Sequence, residues 1–387
     1  MANTFDVVVV GAGIVGTFHA YFAAQRGLKT LLVDRDPAPR QATVRNFGMI
    51  VTGTIAAPGE WDGFAQRTNE LYLQLEDENK QDLTIRHRGS LYVVETELED
   101  RVIREFADLS SSLGKRAEYL TPTDLINGYP FLVPEYARGG LLFPGDLSVD
   151  PRRFIHLILE QLSEDENVIF KPDTCVVGIE AEASGCRLTD SSGSQYSCGT
   201  TVVCSGIEYR ILYPDFCRQS GMEICKIDML RTGTQAALDL RHNILSGLSV
   251  RRYPGFKVCT SYTDLLASPM GKTYKEWGIH LLFKQADDST IIIGDSHQYF
   301  PLSDSTGFDN RAEVREAILA YGKRMVHLDN WSIGKSWAGY VMSHPHEDAV
   351  VGQLAPSVHV ALGIAGKGMS TAPGFAEANM ARILDIP

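Results

Sequence analysis

From Phe5 to Val10 the chain is almost continuously apolar, the pattern of a central parallel strand buried on both faces. A glycine turn follows, Gly11-Ala12-Gly13-Ile14-Val15-Gly16, and then Thr17 to Arg26, whose spacing predicts a helix stopped by Gly27. Lys29 to Val33 predicts a second strand, closed by Asp34, so the segment reads as one βαβ unit. Further on, the spacing predicts helices over Thr68 to Glu78 and Asp100 to Leu113, with a strand over Ser90 to Glu95 between them. A Pro- and Gly-rich passage from Pro122 to Pro151 leads to Asp150-Pro151, which caps a helix over Arg152 to Leu162. Strands are predicted at Val168 to Phe170, Cys175 to Ile179 and Thr201 to Cys204, the last ending in a turn at Ser205-Gly206. Met229 to Leu238, His280 to Lys284 and Thr290 to Gly294 read as an antiparallel sheet. A helix over Arg311 to Val326 follows, then Trp331 to Tyr340 leads into Val358 to Gly363, and Pro373 to Leu384 forms the closing helix.

The fold class expected is α/β with an α+β lobe: a Rossmann-like cofactor domain with an antiparallel-sheet substrate domain inserted. The expected boundaries are 1–85, 140–220 and 335–387 for the cofactor domain, with 86–139 and 221–334 for the substrate domain. At 387 residues, two lobes are the better expectation, because single cores stop growing near this size.

Composition narrows the partners. A net charge of −12, without a cluster of Lys and Arg interleaved with aromatics, lacks the electrostatic footprint of nucleic-acid binding. The seven cysteines contain no C-x-x-C pair and lie mostly in apolar stretches, so they read as reduced and buried. The apolar stretch Val7 to Ala24 is interrupted by Gly11, Gly13, Gly16 and His19, so no membrane span is expected. The N-terminal residues show no basic region and no cleavage site, and a cytoplasmic location is the expectation.

The βαβ unit carries the first chemistry. Gly11 permits the tight turn, Gly13 lets backbone approach a pyrophosphate, Gly16 allows the helix to pack on the strand, and the helix N-terminus faces the phosphate charge. Asp34, followed by Arg35, lies 23 residues after Gly11, where an acid can accept from ribose hydroxyls. This unit alone does not separate FAD from NAD. The second glycine-rich strand-to-helix passage, Gly366-Lys367-Gly368-Met369-Ser370 before Pro373-Gly374, disfavours a nicotinamide enzyme.

With these two ends, the chain resembles the superfamily of FAD-dependent D-amino-acid, glycine and sarcosine oxidases. Four segments resemble a narrower branch associated with aminophosphonate catabolism: Thr43-Val44-Arg45-Asn46-Phe47-Gly48-Met49, Met229 to Thr232, Ile293 to His297 and Gly366 to Met369. The resemblance implies that Arg40 to Met49 passes beside the flavin, that Val176 touches the adenine region and that Ser205-Gly206 approaches the pyrophosphate. It implies oxidation of a small amine by hydride loss to the flavin and hydrolysis of the imine, with oxygen or another electron acceptor. Within that superfamily, sarcosine oxidases bind flavin through a cysteine, but Trp337-Ala338-Gly339-Tyr340 offers none, so noncovalent FAD is expected. They also carry an oxygen-activating lysine near the position of Ile292, which this strand lacks.

For the substrate, the candidates are Arg45, Arg231, His297, Lys367 and Tyr340. Cations suit an anionic substrate group through charge-assisted bonds. Four of them have a plainer alternative: Arg45 pairing with an acid, Lys367 solvated in its loop, His297 bonded at a strand end and Tyr340 in the core. An aminophosphonate, an amino acid such as glycine, sarcosine or a D-amino acid, and a 2-hydroxy acid oxidised with His297 or His344 as base all remain open. His344 and His346, beside Glu347 and Asp348, read as turn chemistry, and no metal site is expected.

Overall fold

The structure, a computed structural model, describes residues 4–304 and 309–384. Met1 to Asn3, which belong to the N-terminal segment assessed above for a signal peptide, lie outside them. Among the described residues, no helix is long and apolar enough to cross a membrane.

The apolar run forms β1 (Thr4–Val10), in which Val7, Val8 and Val9 are fully buried. It is followed by α1 (Ile14–Ala24) and β2 (Thr30–Val33), the expected βαβ unit. β1 sits inside an eight-stranded sheet, flanked in parallel by β2 and by Gln195–Val203. Val10 pairs with Val33 on one side and Val203 on the other, and Val203 pairs with Val360. These parallel strands therefore run out at one edge, where Gly11, Asp34, Ser205 and Gly363 leave the sheet together. That edge is where ligands bind in open α/β sheets.

Two helices cover one side of the sheet with α1: Glu60–Glu78, longer at its start than the spacing suggested, and Gly368–Ile383. The latter begins five residues before Pro373, where the closing helix was expected to start. An interior proline removes a helix hydrogen bond. Here the carbonyl it would have satisfied, Met369 O, accepts from the Tyr72 hydroxyl at 3.0 Å instead. A bond of this kind offsets about 1 kcal/mol of the loss, and the buried Tyr72 supplies a tertiary reason that no local pattern contains.

The second sheet has nine strands, with the long strand Glu223–Thr234 pairing antiparallel to Thr290–Gly294, Gln298–Pro301 and Ile333–Ser343. It is not wholly antiparallel, because Asn243–Ser246 runs parallel to Ser90–Val94. Two strands of this sheet, Gly139–Phe143 and Ile333–Ser343, fall across the boundaries expected at 140 and 335. Apolar alternation marks a strand but does not say which sheet receives it. A two-stranded ribbon, Met49–Ile50 with Leu147–Ser148, lies apart from both sheets. All seven cysteines are free, six buried and Cys175 partly so.

Candidate cofactor and substrate site

One cavity of about 520 Å³ runs from the sheet edge into the space beside the second sheet. Its cofactor end is built largely from main chain. A Cβ on Gly16 would stand 1.9 Å from Gly11 O, and one on Gly11, whose φ is +106°, would stand 2.4 Å from Cys204 O. Both glycines are therefore required by the close approach of turn, helix and strand. Gly13 caps α1 without a side-chain bond, and no acid sits in the first turn, so the helix end presents positive potential to the cavity. The N–H of Ile14 is held by Thr43 Oγ1 at 2.9 Å.

Asp34 organises the turn from below. Its Oδ2 accepts from Ala12 N at 2.7 Å and its Oδ1 from Asp36 N at 2.9 Å. Burial raises its pKa, with those N–H bonds and Arg35 opposing. Arg35 pairs with Glu208 across the same end. Gly11, Gly13, Ile14, Val15, Asp34, Arg35, Val176, Ser205 and Gly206 all line this part of the cavity, whereas Gly16 lies behind it as a packing glycine.

The middle of the cavity is lined by Thr43, Asn46, Phe47, Gly48 and Met49 on one side and Gly366, Lys367, Gly368, Met369 and Ser370 on the other. The second helix also starts here without a side-chain cap or first-turn acid. Ser370 Oγ accepts from Val51 N at 2.9 Å, joining the two segments. Two uncapped helix ends and glycine turns that admit no Cβ at the sheet edge fit a dinucleotide, and these residues would hold FAD.

Lys367 lines the cavity but is engaged: its ammonium pairs with Asp348 and lies 4.5 Å from the Trp61 ring centre. Burial lowers its pKa, against the pull of Asp348. Three other candidates lie elsewhere than expected. Arg45 is not among the lining residues; its Nε donates to Arg40 O at 2.7 Å and its Nη1 to Ala338 O at 3.1 Å. Main-chain carbonyls, rather than a substrate, occupy its fork. Arg231 bonds Thr290 Oγ1 at 2.6 Å and pairs with Asp288 at 2.7 Å, beside a separate small cavity. Tyr340 is half-buried in the strand paired to Lys226 and packs on the cluster around Phe5, while its neighbours Val341 and Met342 line the cavity. Tyr340 itself is not among the lining residues, although Met342 two positions on shares its face of the strand.

His297 does reach the cavity, and it is not alone. Asp295, His280, Arg252, Tyr253 and Tyr299 line the same end. His280 Nε2 lies 3.0 Å and His297 Nδ1 3.6 Å from Asp295 Oδ1, and the two imidazoles stack with centres 5.1 Å apart. These three residues are close enough to share one ion, a grouping the sequence reading did not contain. Arg252 Nη2 donates to the Tyr299 hydroxyl at 3.2 Å, and among the described residues no carboxylate oxygen lies within 4.0 Å of its guanidinium. A period of two would have found part of this, since Asp295, His297 and Tyr299 alternate along one face. Nothing local distinguishes Arg252 from the many other arginines. His344 is turn chemistry, its Nδ1 accepting from Glu347 N at 2.8 Å.

One more cation stands close to the cavity. Lys284 stands in register opposite Ile292 on the neighbouring strand, is buried, and donates to Val149 O at 2.7 Å. A Cβ on Gly48 would lie 2.8 Å from its ammonium, so the amine sits directly behind the cavity wall. Burial lowers its pKa to about 7.

Comparison with known proteins adds the family. The pattern described as FAD dependent oxidoreductase matches residues 6–381. A monomeric sarcosine oxidase of Bacillus sp. (strain NS-129) is 39% identical over 79 residues, 20% of each chain. A glycine oxidase of Bacillus licheniformis is 26% identical over 212 residues, 54% of this chain and 55% of that one. These alignments thus span a fifth to about half of the relatives' lengths. In fold, the L-proline dehydrogenase from P. horikoshii superposes with a TM-score of 0.80 at 17% identity, over 100% of this chain and 94% of that one.

Proposed function

Because the chain belongs to the family of FAD-dependent oxidoreductases, we propose that it oxidises a small primary or secondary amine bearing an anionic group, most specifically an aminophosphonate such as 2-aminoethylphosphonate or its N-methyl derivative. The observation that carries this reading is Arg252, a guanidinium in the cavity wall with no carboxylate partner among the described residues. Arg252 is exposed, so its guanidinium is open to the approach of an anionic ligand. The Arg252 fork and the Tyr299 hydroxyl are donors of the kind a phosphonate takes in charge-assisted bonds.

The choice of phosphonate over carboxylate rests on the four resembling segments. Three of them, Thr43–Met49, Ile293–His297 and Gly366–Met369, contribute lining residues, while Met229 packs fully buried beneath Gly294. Amino acids remain the alternative class, as the names of the glycine and sarcosine oxidases suggest.

When bound, FAD supplies the two-electron oxidation by taking a hydride from the carbon next to nitrogen. The protein orients the substrate: Arg252 and Tyr299 take the anionic group, Phe47, Met49 and Leu282 present apolar wall, and the histidines at the same end of the cavity receive the amine. The imine released hydrolyses to an aldehyde with ammonia, or with methylamine for the N-methyl substrate. We further propose that FAD is held noncovalently, so that acid precipitation leaves the yellow colour in the supernatant, and that the enzyme works in the cytoplasm.

The test is a steady-state comparison of 2-aminoethylphosphonate, its N-methyl form, glycine, sarcosine, D-alanine and 2-hydroxyglutarate, with aldehyde and amine products measured. The aminophosphonates are expected to give the highest kcat/KM. A higher value for an amino acid shifts the reading to the alternative class, and turnover of the hydroxy acid alone overturns amine oxidation.

A further inference from the structure

Two polar atoms in the cavity wall, Asp295 Oδ1 and His297 Nδ1, are buried and have no hydrogen-bond partner among the described residues. They lie 3.6 Å apart. Buried polar atoms are almost always satisfied, and with the His297 proton on Nε2 both atoms are acceptors, so the pair calls for a ligand that brings donors. His280 approaches the same carboxylate oxygen at 3.0 Å without completing a well-aligned bond, and its other nitrogen lies 3.0 Å from Ser249 Oγ.

The groups facing Asp295 are Arg252, His280 and His297, with Tyr253 and Cys225 beyond them, and Tyr299 stacks on His297. Burial, the largest influence, pushes both imidazoles below their ordinary pKa, so they stand neutral near pH 7. Burial also works against the Asp295 charge, but its pKa is lowered all the same, with the approach of His280 and the Arg252 guanidinium favouring the carboxylate. One wall therefore offers a carboxylate and a neutral base side by side.

Amine oxidation needs a nitrogen that has lost its extra proton. A small amine arrives as an ammonium at neutral pH, and a nitrogen without a lone pair cannot form the C=N bond as hydride leaves the neighbouring carbon. An N···O or N···N bond spans about 2.9 Å, so one ammonium nitrogen can reach both atoms across the 3.6 Å gap.

We propose that Asp295 and His297 form the ammonium end of the substrate site: Asp295 Oδ1 accepts one ammonium N–H, and His297 Nδ1 takes the proton. The ammonium N–H bond breaks with its electron pair left on nitrogen, a new N–H bond forms at His297 Nδ1, and the imidazolium rests against the Asp295 carboxylate. His280, braced by Ser249, positions that carboxylate. This rests on the amine reading above.

The test follows anaerobic bleaching of the FAD holoenzyme by 2-aminoethylphosphonate across pH, in the wild type, Asp295→Asn and His297→Gln. Either variant is expected to bind FAD fully and to bleach about 100-fold more slowly near neutrality, within the usual contribution of a positioned base. The deficit closes above the substrate's ammonium pKa, where the amine enters neutral. If one variant loses FAD, the other carries the comparison. Wild-type rates in both variants, or a deficit equal at every pH, overturn the proposal while leaving amine oxidation standing. Loss of wild-type bleaching in EDTA with recovery in zinc also overturns it, assigning His280, Asp295 and His297 to a metal ion. No bleaching of the wild type by any amine removes the amine reading and this proposal together.

Discussion

The two ends of the cavity are made of different material. At the sheet edge the wall is main chain, with glycines where no Cβ fits and two helix starts without caps. At the far end it is side chains: Arg252, His280 and, from one short stretch, Asp295, His297 and Tyr299. Backbone groups are fixed by the fold and recognise what every relative shares, whereas side chains are exchangeable one at a time. The difference implies that substitutions at the first end cost the cofactor and the whole protein, while those at the second cost the substrate alone.

The largest break is expected at Gly16. A side chain there meets Gly11 O at 1.9 Å with only backbone to yield, so Gly16→Val should abolish flavin binding, read as a protein without the flavin absorption band.

Arg252→Ala should act on the other end alone. A hydrogen bond to a charged group contributes about 1.5–3 kcal/mol, so the Kd for 2-aminoethylphosphonate in anaerobic titration should rise by about 10- to 150-fold with FAD content unchanged.

A third effect belongs to the cofactor end. His19 is wholly buried in α1, its Nδ1 bonded to Val15 O at 2.7 Å and its Nε2 meeting the Asn379 amide at 2.9 Å, an arrangement only the neutral ring satisfies. Burial pushes its pKa from 6.5 down to about 4, with the Val15 bond opposing. An unfolded chain therefore binds this proton first, and the stability the neutral ring provides above pH 6.5 is lost as pH falls toward 4. Over that window the loss is about 3 kcal/mol. Denaturant melts of the wild type at stepped pH should show it, and His19→Gln should flatten the slope.

The smallest effect is expected from Arg45→Ala. Its bonds to Arg40 O and Ala338 O make it a brace for the flavin-side loop. Stability should fall by about 1–2 kcal/mol, with the Kd for the aminophosphonate little changed. A large rise in that Kd would return Arg45 to the substrate site.

The same contrast explains what could be read before the fold was known. The βαβ unit is local: Val7 to Val10, the three glycines and Asp34 fall within one short stretch of chain, and the glycine spacing states the geometry directly. The segments around Asn46 and Gly366 were legible by resemblance, and both line the cavity. Arg45 and Arg231 look alike to Arg252 in sequence, and only the packing of strands Ile333–Ser343 and Thr290–Gly294 against them decides which fork faces the cavity. The buried Lys284 escaped for a similar reason, since its place in register with Ile292 is a cross-strand pairing that the sequence does not state. Pro373 misled because its helix is rescued by Tyr72, about three hundred residues away in sequence.

The most direct test of the account is the visible spectrum of the purified wild-type protein, kept anaerobic, as 2-aminoethylphosphonate is added. The account predicts a flavin band that bleaches in proportion to the amine supplied. A colourless protein, or a flavin band that survives every amine and is bleached only by a 2-hydroxy acid, would contradict it.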